Sequence, residues 1–210
     1  MITTTLLALG AFCSAVEAPS HESRATLFAD SSYKALYDSA QTFTDFVSKA
    51  TARKEQWEGN YAKGVAPDAL VTRAAAAGTG WKLLVVTVPG CSDSVNIVPY
   101  VASLLAKVPS VEMRLISPTL GKAVQEAHRT PDGRAATPTF ILLDAEFNER
   151  GCWIERPSTL SELMKNGTDF EGKMAWYDKD QGASSLEEIV GMIEAAHAGT
   201  AKCAPNAKTP

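Results

Sequence analysis

The stretch TVPGCSDSV, residues 87–95, contains the side chain of this protein best suited to covalent chemistry, the thiol of Cys91. A thiolate is a good nucleophile that attacks disulfides and forms a mixed disulfide. Redox proteins often place a second cysteine three residues later, but here that position holds Ser94. An alcohol cannot replace the second thiol, although its hydroxyl can donate a hydrogen bond that favours the thiolate. The pattern predicts one attacking thiol whose product must be released by another thiol.

The elements around Cys91 would place it at a strand–helix junction. The segment WKLLVVTV, residues 81–88, is short, apolar and β-branched, which is typical of a strand buried on both faces. After PGCSDS, apolar residues at helical spacing predict a helix. The N–H groups at a helix N-terminus carry partial positive charge and stabilise a thiolate. Asp93 would oppose this if its carboxylate pointed inward, and the sequence leaves its direction open.

The remaining periodicity predicts the order β-α-β-α-β-β-α after a helical first third. We expect one helix from Ser31 through Val47, a second around Trp57, and a third from Pro67 to Gly78. Two β-α-β crossings and a terminal hairpin would build a mixed four-stranded sheet with helices on both faces. The later strands are predicted at residues 111–117, 139–145 and 151–156, helices at 120–128 and 185–196, and a loop or short helix at 166–183. The serines of SSLEE are expected to cap the last helix.

A proline precedes the third predicted strand. In ATPTF, Pro138 cannot donate a ladder hydrogen bond, so it belongs at the first position or the edge of that strand. We expect the Thr137–Pro138 bond to be cis, as in tight, specified geometries. Backbone groups of Thr137 would then be available to an extended peptide.

These features together resemble the thioredoxin superfamily. The shared features are the element order, Cys91 at the first strand–helix junction, Pro99 inside the following helix, and Thr137–Pro138 before the third strand. The segments PGCSDSVNIVP, DGRAATPTFILLD and CWIERP are similar to a bacterial thioredoxin-like family that often reads WCxD, GGRxxP and WGPRP at these places. The resemblance implies an α/β thioredoxin-like fold, with a four-stranded mixed sheet, flanking helices and an N-terminal helical extension. It also implies that Cys91 attacks disulfides opposite a cis-proline.

The chain departs from that family at several site positions. Gly90 replaces the usual tryptophan, Ser94 replaces the resolving cysteine, and Ile154-Glu155 replaces Gly-Pro. We expect Cys91 and Ser94 to be catalytic, and Gly90, Thr137 and Pro138 to line the substrate groove. Arg156, near the same end of the sheet, is expected to be a surface charge or an ion-pair partner.

The other cysteines give no metal or cofactor pattern. No CxxC pair and no cysteine–histidine cluster at zinc spacing occurs, so we expect no metal and no cofactor. Cys152 is expected to be a buried strand residue too far from Pro138 to pair with Cys91. Cys203 follows the last helix and has no assigned role, and the chain is not expected to be a disulfide-stapled scaffold.

Composition limits the remaining classes of function. The chain has 210 residues, and its net charge of −4 argues against nucleic acid as the main partner. No apolar run after the N-terminus is long enough to span a bilayer. We expect residues 19–30 to be a linker, residues 31–198 to form the domain with its helical part at 31–78, and residues 199–210 to be a flexible tail.

The N-terminus sets the expected location. Residues 1–18 resemble a secretory signal cleaved after Ala18 or Ala15, although no basic residue precedes the apolar stretch. A frayed first helix is the alternative. The protein would be periplasmic or secreted if the signal is used, and cytoplasmic otherwise.

Two functions of different class fit these features. The first is a monothiol oxidoreductase that uses Cys91 on protein or low-molecular-weight disulfides, with an external thiol as reductant. The second is a non-catalytic thioredoxin-fold module that holds a partner in the groove. A third, weaker hypothesis is a cluster-binding monothiol protein, which would need a bridging dimer and a glutathione site that we do not identify. We favour the enzyme.

Overall fold

A computed structural model describes residues 30–203 of the protein. In this part of the chain, nine helices and four strands follow one another. In chain order they are α1 (Asp30–Ser39), α2 (Phe43–Ser48), α3 (Lys54–Lys63), α4 (Asp68–Ala76), β1 (Trp81–Val86), α5 (Ser92–Leu105), β2 (Val111–Ile116), α6 (Lys122–Ala127), β3 (Thr139–Leu143), β4 (Glu149–Ile154), α7 (Ser158–Lys165), α8 (Phe170–Asp180) and α9 (Ala183–His197). The predicted signal segment, most of the predicted linker and the last seven residues lie outside the described residues.

The strands form the predicted mixed sheet, in the order β2-β1-β3-β4. β1 pairs parallel with β2, while β3 runs antiparallel to both β1 and β4. The expectation of two parallel crossings is therefore wrong, because only the connection through α5 joins parallel strands. Apolar periodicity identifies a strand but does not give its direction, which explains the error.

Alternate residues of each strand face two separate apolar layers. Leu83 and Val85 pack with α5 and α9 on one face of the sheet. Leu84 and Val86 pack with α1 and α6 on the other. Both central strands are thus buried on both faces, as their continuous apolar sequences predict.

The predicted helix from Ser31 through Val47 is broken in two. Gln41 leaves the helical path and exchanges backbone hydrogen bonds of 2.9 and 2.8 Å with Leu115 of β2, the sheet's edge strand. Thr42 then caps α2 by accepting the backbone N–H of Asp45. Pairing with an open strand edge thus overrides the helical spacing.

The segment expected to be a loop or short helix contains the eleven-residue helix α8. Asp169 caps α8 by accepting the backbone N–H of Gly172. The inward side chains of α8 include Lys173 and Tyr177, so its buried face is partly polar and apolar spacing does not reveal it. The predicted serine cap of α9 is also wrong, because the helix follows Gly182 (φ 82°), which makes no side-chain cap bond.

The β3–β4 hairpin turns around the carboxylate of Asp144. Asn148 donates to it from its backbone and side chain, and Arg150 forms an ion pair with it at 2.5 Å. Burial pushes the pKa of Asp144 up, but these hydrogen bonds outweigh burial and hold the pKa below its usual value. The ionised carboxylate therefore stabilises the turn.

Across residues 30–203, no helix combines the length and apolar character needed to cross a membrane.

Candidate functional site

Cys91 lies where strand β1 gives way to helix α5. It is the N-cap residue of α5, and its sulfur accepts the backbone N–H of Ser94 at 3.4 Å. The same sulfur donates to the carbonyl oxygen of Thr137 at 3.2 Å. The Thr137–Pro138 bond is cis, as expected, and brings that carbonyl opposite the helix N-terminus. Of the cysteines in the described residues, Cys91 is the free one, and it is half-buried.

The other predicted site residues surround this sulfur in different ways. Gly90 is exposed, and a side chain added there would approach Ala52 at 3.9 Å, within ordinary contact distance. Pro138 is buried, and its carbonyl oxygen accepts the backbone N–H of Glu155 at 2.8 Å. The Pro138 bond thus ties the start of β3 to the segment after β4.

Ser94 contacts the Cys91 sulfur through a different group from the one expected. Its backbone N–H, not its hydroxyl, is the donor to Cys91. Its side chain is fully buried, and its Oγ has no hydrogen-bond partner within residues 30–203. A buried, unpaired hydroxyl has lost its solvation, so it would gain from an acceptor nearby.

Asp93 points inward, and the sequence did not predict the group of side chains that holds it. Asp93 is buried, and its carboxylate accepts a hydrogen bond from the hydroxyl of Tyr177 at 2.7 Å. It also meets Lys173 Nζ at 3.3 and 3.2 Å and an Arg156 nitrogen at 3.2 Å. We call Asp93, Arg156, Lys173 and Tyr177 the Asp93 network.

The Asp93 network changes the charge expected beside Cys91. Lys173 and Arg156, which also pairs with Glu155 at 2.5 Å, offset the carboxylate that would otherwise oppose a thiolate. Burial and the charge of Asp93 both raise the pKa of Tyr177, so the tyrosine remains a hydrogen-bond donor. Arg156 is an ion-pair partner, as expected. Tyr177 lies in MAWYDKDQG and Lys173 directly precedes it, within the segment that was predicted to be a loop or a short helix.

Helix α3 braces the Cys91 loop and α5. Trp57 donates from Nε1 to the carbonyl oxygen of Pro89 at 3.0 Å. Pro99 has no N–H to donate to the Val95 carbonyl one turn earlier, and Asn60 Nδ2 donates to that oxygen at 2.8 Å instead. The N-terminal helical extension therefore completes the hydrogen bonding of the helix that carries the site.

Cys152 is buried in β4 opposite Ile141, in agreement with the expected buried strand position. Its sulfur, however, forms a disulfide with Cys203, with Cα atoms 4.7 Å apart. This pair was not predicted, because residues 199–210 were expected to be a flexible tail. The bond ties the segment after α9 to β4, the other edge strand of the sheet, and leaves Cys91 without a second free thiol among residues 30–203.

Comparison with known proteins supports the same fold. The family described as Thioredoxin matches residues 40–171, more than half of the chain. A protein of unknown function from Pseudomonas aeruginosa has a TM-score of 0.62 at 23% identity, over 78% of this chain and 98% of that one. An HIV epitope-scaffold has a TM-score of 0.64 at 21% identity, over 77% of this chain and 97% of that one. No curated protein matches the sequence.

Proposed function

Because this chain belongs to the thioredoxin family, we propose that it is a monothiol thiol–disulfide oxidoreductase acting through Cys91. The observation that carries the proposal is the position of the free Cys91 sulfur. It receives the Ser94 N–H at the start of α5 and faces the Thr137 carbonyl beside a cis-proline. The Ser94 N–H that points at the sulfur favours the thiolate, which is the nucleophile.

The proposed reaction has three balanced exchanges. The Cys91 thiolate attacks one sulfur of a substrate disulfide, a mixed disulfide forms, and the other substrate sulfur leaves as a thiolate. A first external thiolate attacks the Cys91 sulfur of that mixed disulfide and releases the second substrate thiolate, and a second external thiolate attacks the new mixed disulfide and restores Cys91. The substrate is reduced by two electrons, and two external thiols are oxidised to a disulfide. The substrate class is protein or low-molecular-weight disulfides.

The second step needs an external thiol because the described residues offer no internal one. Ser94 occupies the resolving position and cannot form a disulfide. Cys152 and Cys203 are bonded to each other. This arrangement fits the one-thiol chemistry that the spacing C-S-D-S predicts.

We assign Ser94 a supporting role and the neighbouring backbone a role in binding. The buried Ser94 hydroxyl, one helical turn from Cys91, would donate to the thiolate once it forms. Ionisation would also free the Thr137 carbonyl from the Cys91 thiol, so that it could accept an N–H group of an extended substrate. Gly90 and Pro138 would form the walls of this groove.

We also propose that the protein works in an oxidising compartment, periplasmic or extracellular. The disulfide in the structure supports this weakly, since such bonds persist where thiols are not kept reduced.

Turnover of a glutathione-linked peptide disulfide, with reduced glutathione as the external thiol, tests the proposal. We expect Cys91→Ser to abolish turnover and Ser94→Ala to slow it. Ser94→Cys should resolve the mixed disulfide internally, because the introduced thiol can attack it and form a disulfide with Cys91. If the wild type binds the peptide at the Cys91 groove without turnover, the alternative of a non-catalytic binding module replaces the enzyme.

A further inference from the structure

A second group of chemically capable side chains surrounds the disulfide. A ring nitrogen of His128 and the sulfurs of Cys152 and Cys203 all lie within 4.8 Å of one another. His128 follows α6, Cys152 belongs to β4 and Cys203 follows α9, so three separate segments converge there. Nothing in the chemistry of Cys91 uses these side chains.

Hydrogen bonds fix both nitrogens of the His128 ring. Nδ1 lies 2.7 Å from the Val124 carbonyl oxygen, and because a carbonyl oxygen only accepts, Nδ1 carries a proton. Nε2 lies 2.9 Å from Oε1 of Glu149, and because a carboxylate oxygen accepts, Nε2 donates to it. A metal ion would take the place of this Nε2 proton. A ring nitrogen fixed on a backbone carbonyl is the usual arrangement behind a metal-binding histidine.

Glu149 is also held in place. Tyr33 donates its hydroxyl to Oε2 of Glu149 at 2.6 Å, which leaves Oε1 facing His128. Both His128 and Cys152 are buried, so a bound ion would be shielded from water on that side. The carboxylate, the imidazole and the two sulfurs are the ligand types that zinc prefers.

We propose that, when the Cys152–Cys203 disulfide is reduced, these two thiolates bind one zinc ion together with His128 and Glu149. Reduction by an external thiol or phosphine transfers two electrons, breaks the S–S bond and yields two thiols. Zinc binding then releases both thiol protons and the Nε2 proton to solvent, so that His128 binds through a neutral ring with its remaining proton on Nδ1. The disulfide and the ion exclude each other, because the same sulfurs serve both.

The ligand atoms of His128, Cys152 and Cys203 already lie within 4.8 Å of one another, and the Glu149 carboxylate would have to move toward the sulfurs to complete the site. Sulfur ligands about 2.3 Å from a tetrahedral zinc ion stand about 3.8 Å apart, and nitrogen and oxygen ligands at about 2.1 Å stand about 3.4 Å apart. The Nε2–Oε1 separation of 2.9 Å needs only a slight opening. Once the S–S bond is broken, Cys203 can move away from Cys152 because it lies outside any helix or strand.

Cobalt titration of the full chain tests this site. The protein is reduced with a phosphine, freed of metal, and titrated with Co²⁺ and then with competing Zn²⁺. We expect one equivalent of Co²⁺ with a thiolate charge-transfer band and tetrahedral visible bands, displaced by zinc. The oxidised protein should show none of these bands.

Variants separate this site from Cys91. Cys91→Ser should bind as the wild type does, whereas Cys203→Ser should lose more than about 100-fold in affinity, and Tyr33→Phe about tenfold. The reduced wild type is the matched reference for Cys203→Ser, since neither contains the disulfide. Each of three results would overturn the proposal: unchanged Co²⁺ binding in Cys203→Ser, lost Co²⁺ binding in Cys91→Ser, or no thiolate band in the reduced wild type.

Discussion

Replacing Lys173 with methionine should destabilise the protein, because it removes a cation from the buried carboxylate of Asp93. The ammonium lies 3.3 and 3.2 Å from the two carboxylate oxygens, and both residues are no more than 6% exposed. Breaking a buried ion pair from one side typically costs about 3–5 kcal/mol. Because Arg156 and Tyr177 still bind Asp93, we expect the lower end of that range, about 3 kcal/mol.

The assay is denaturant and thermal unfolding with a matched control. For a domain of this size, each kcal/mol moves Tm by about 2–4 °C, so Lys173→Met should lower Tm by about 6–12 °C. Lys179→Met makes the same change at an exposed position of α8 and should cost less than about 0.5 kcal/mol. In an Asp93→Asn background the effect of Lys173→Met should shrink, since no carboxylate charge remains to be neutralised.

The same variants should change the reactivity of Cys91 in opposite directions. Lys173→Met leaves more negative charge beside the sulfur and should slow alkylation of Cys91 near neutral pH, because the thiolate is the reacting form. Asp93→Asn should speed alkylation. Two results would refute the role given to the Asp93 network. One is an equal loss of stability in Lys173→Met and Lys179→Met. The other is a change of Cys91 reactivity in the same direction in Lys173→Met and Asp93→Asn.

Three further predictions concern stability. Asn60→Ala should lower the free energy of unfolding by about 1–3 kcal/mol, because it leaves the Val95 carbonyl unpaired. The loss should be smaller in a Pro99→Ala background, where residue 99 has a backbone N–H to donate. Equal losses in the two backgrounds would contradict this account. Cys203→Ser should lower the free energy of unfolding by up to about 4 kcal/mol under oxidising conditions, because the disulfide closes a sequence separation of 51 residues. It should not change that free energy under reducing conditions. An equal loss under both conditions would rule out the disulfide as the cause. Ionised Asp144 should contribute stability above its ordinary pKa of 3.8, and this contribution should be lost as pH falls through the lower pKa of the folded state. In Asp144→Asn the free energy of unfolding should therefore depend less on pH in that acidic range. The same acid dependence in the variant and the wild type would contradict this role of Asp144.

The sequence predicted the central sheet and the junction at Cys91 because both rest on local signals. Continuous apolar runs mark strands buried on both faces, and Pro138 before a strand can only sit at its start. These signals lie within a few residues of the feature that they predict. The four-stranded mixed sheet was therefore predictable, apart from the direction of its third strand.

The missed features depend on contacts between distant segments. Lys173 lies 80 residues from Asp93, and Cys203 lies 51 residues from Cys152. A buried face made of polar side chains has no apolar period, so α8 was not predicted as a full helix. The break at Gln41 likewise arises from an open strand edge, which no local pattern reports.

The most direct test of the central claim is intact-mass analysis of the protein after exposure to oxidised glutathione near neutral pH, followed by reduced glutathione. We predict one rapid glutathione adduct that peptide mapping places on Cys91, no adduct at that position in Cys91→Ser, and removal of the adduct by reduced glutathione with recovery of the free thiol. An unmodified Cys91 in the folded protein, or an adduct formed only after denaturation, would contradict the account.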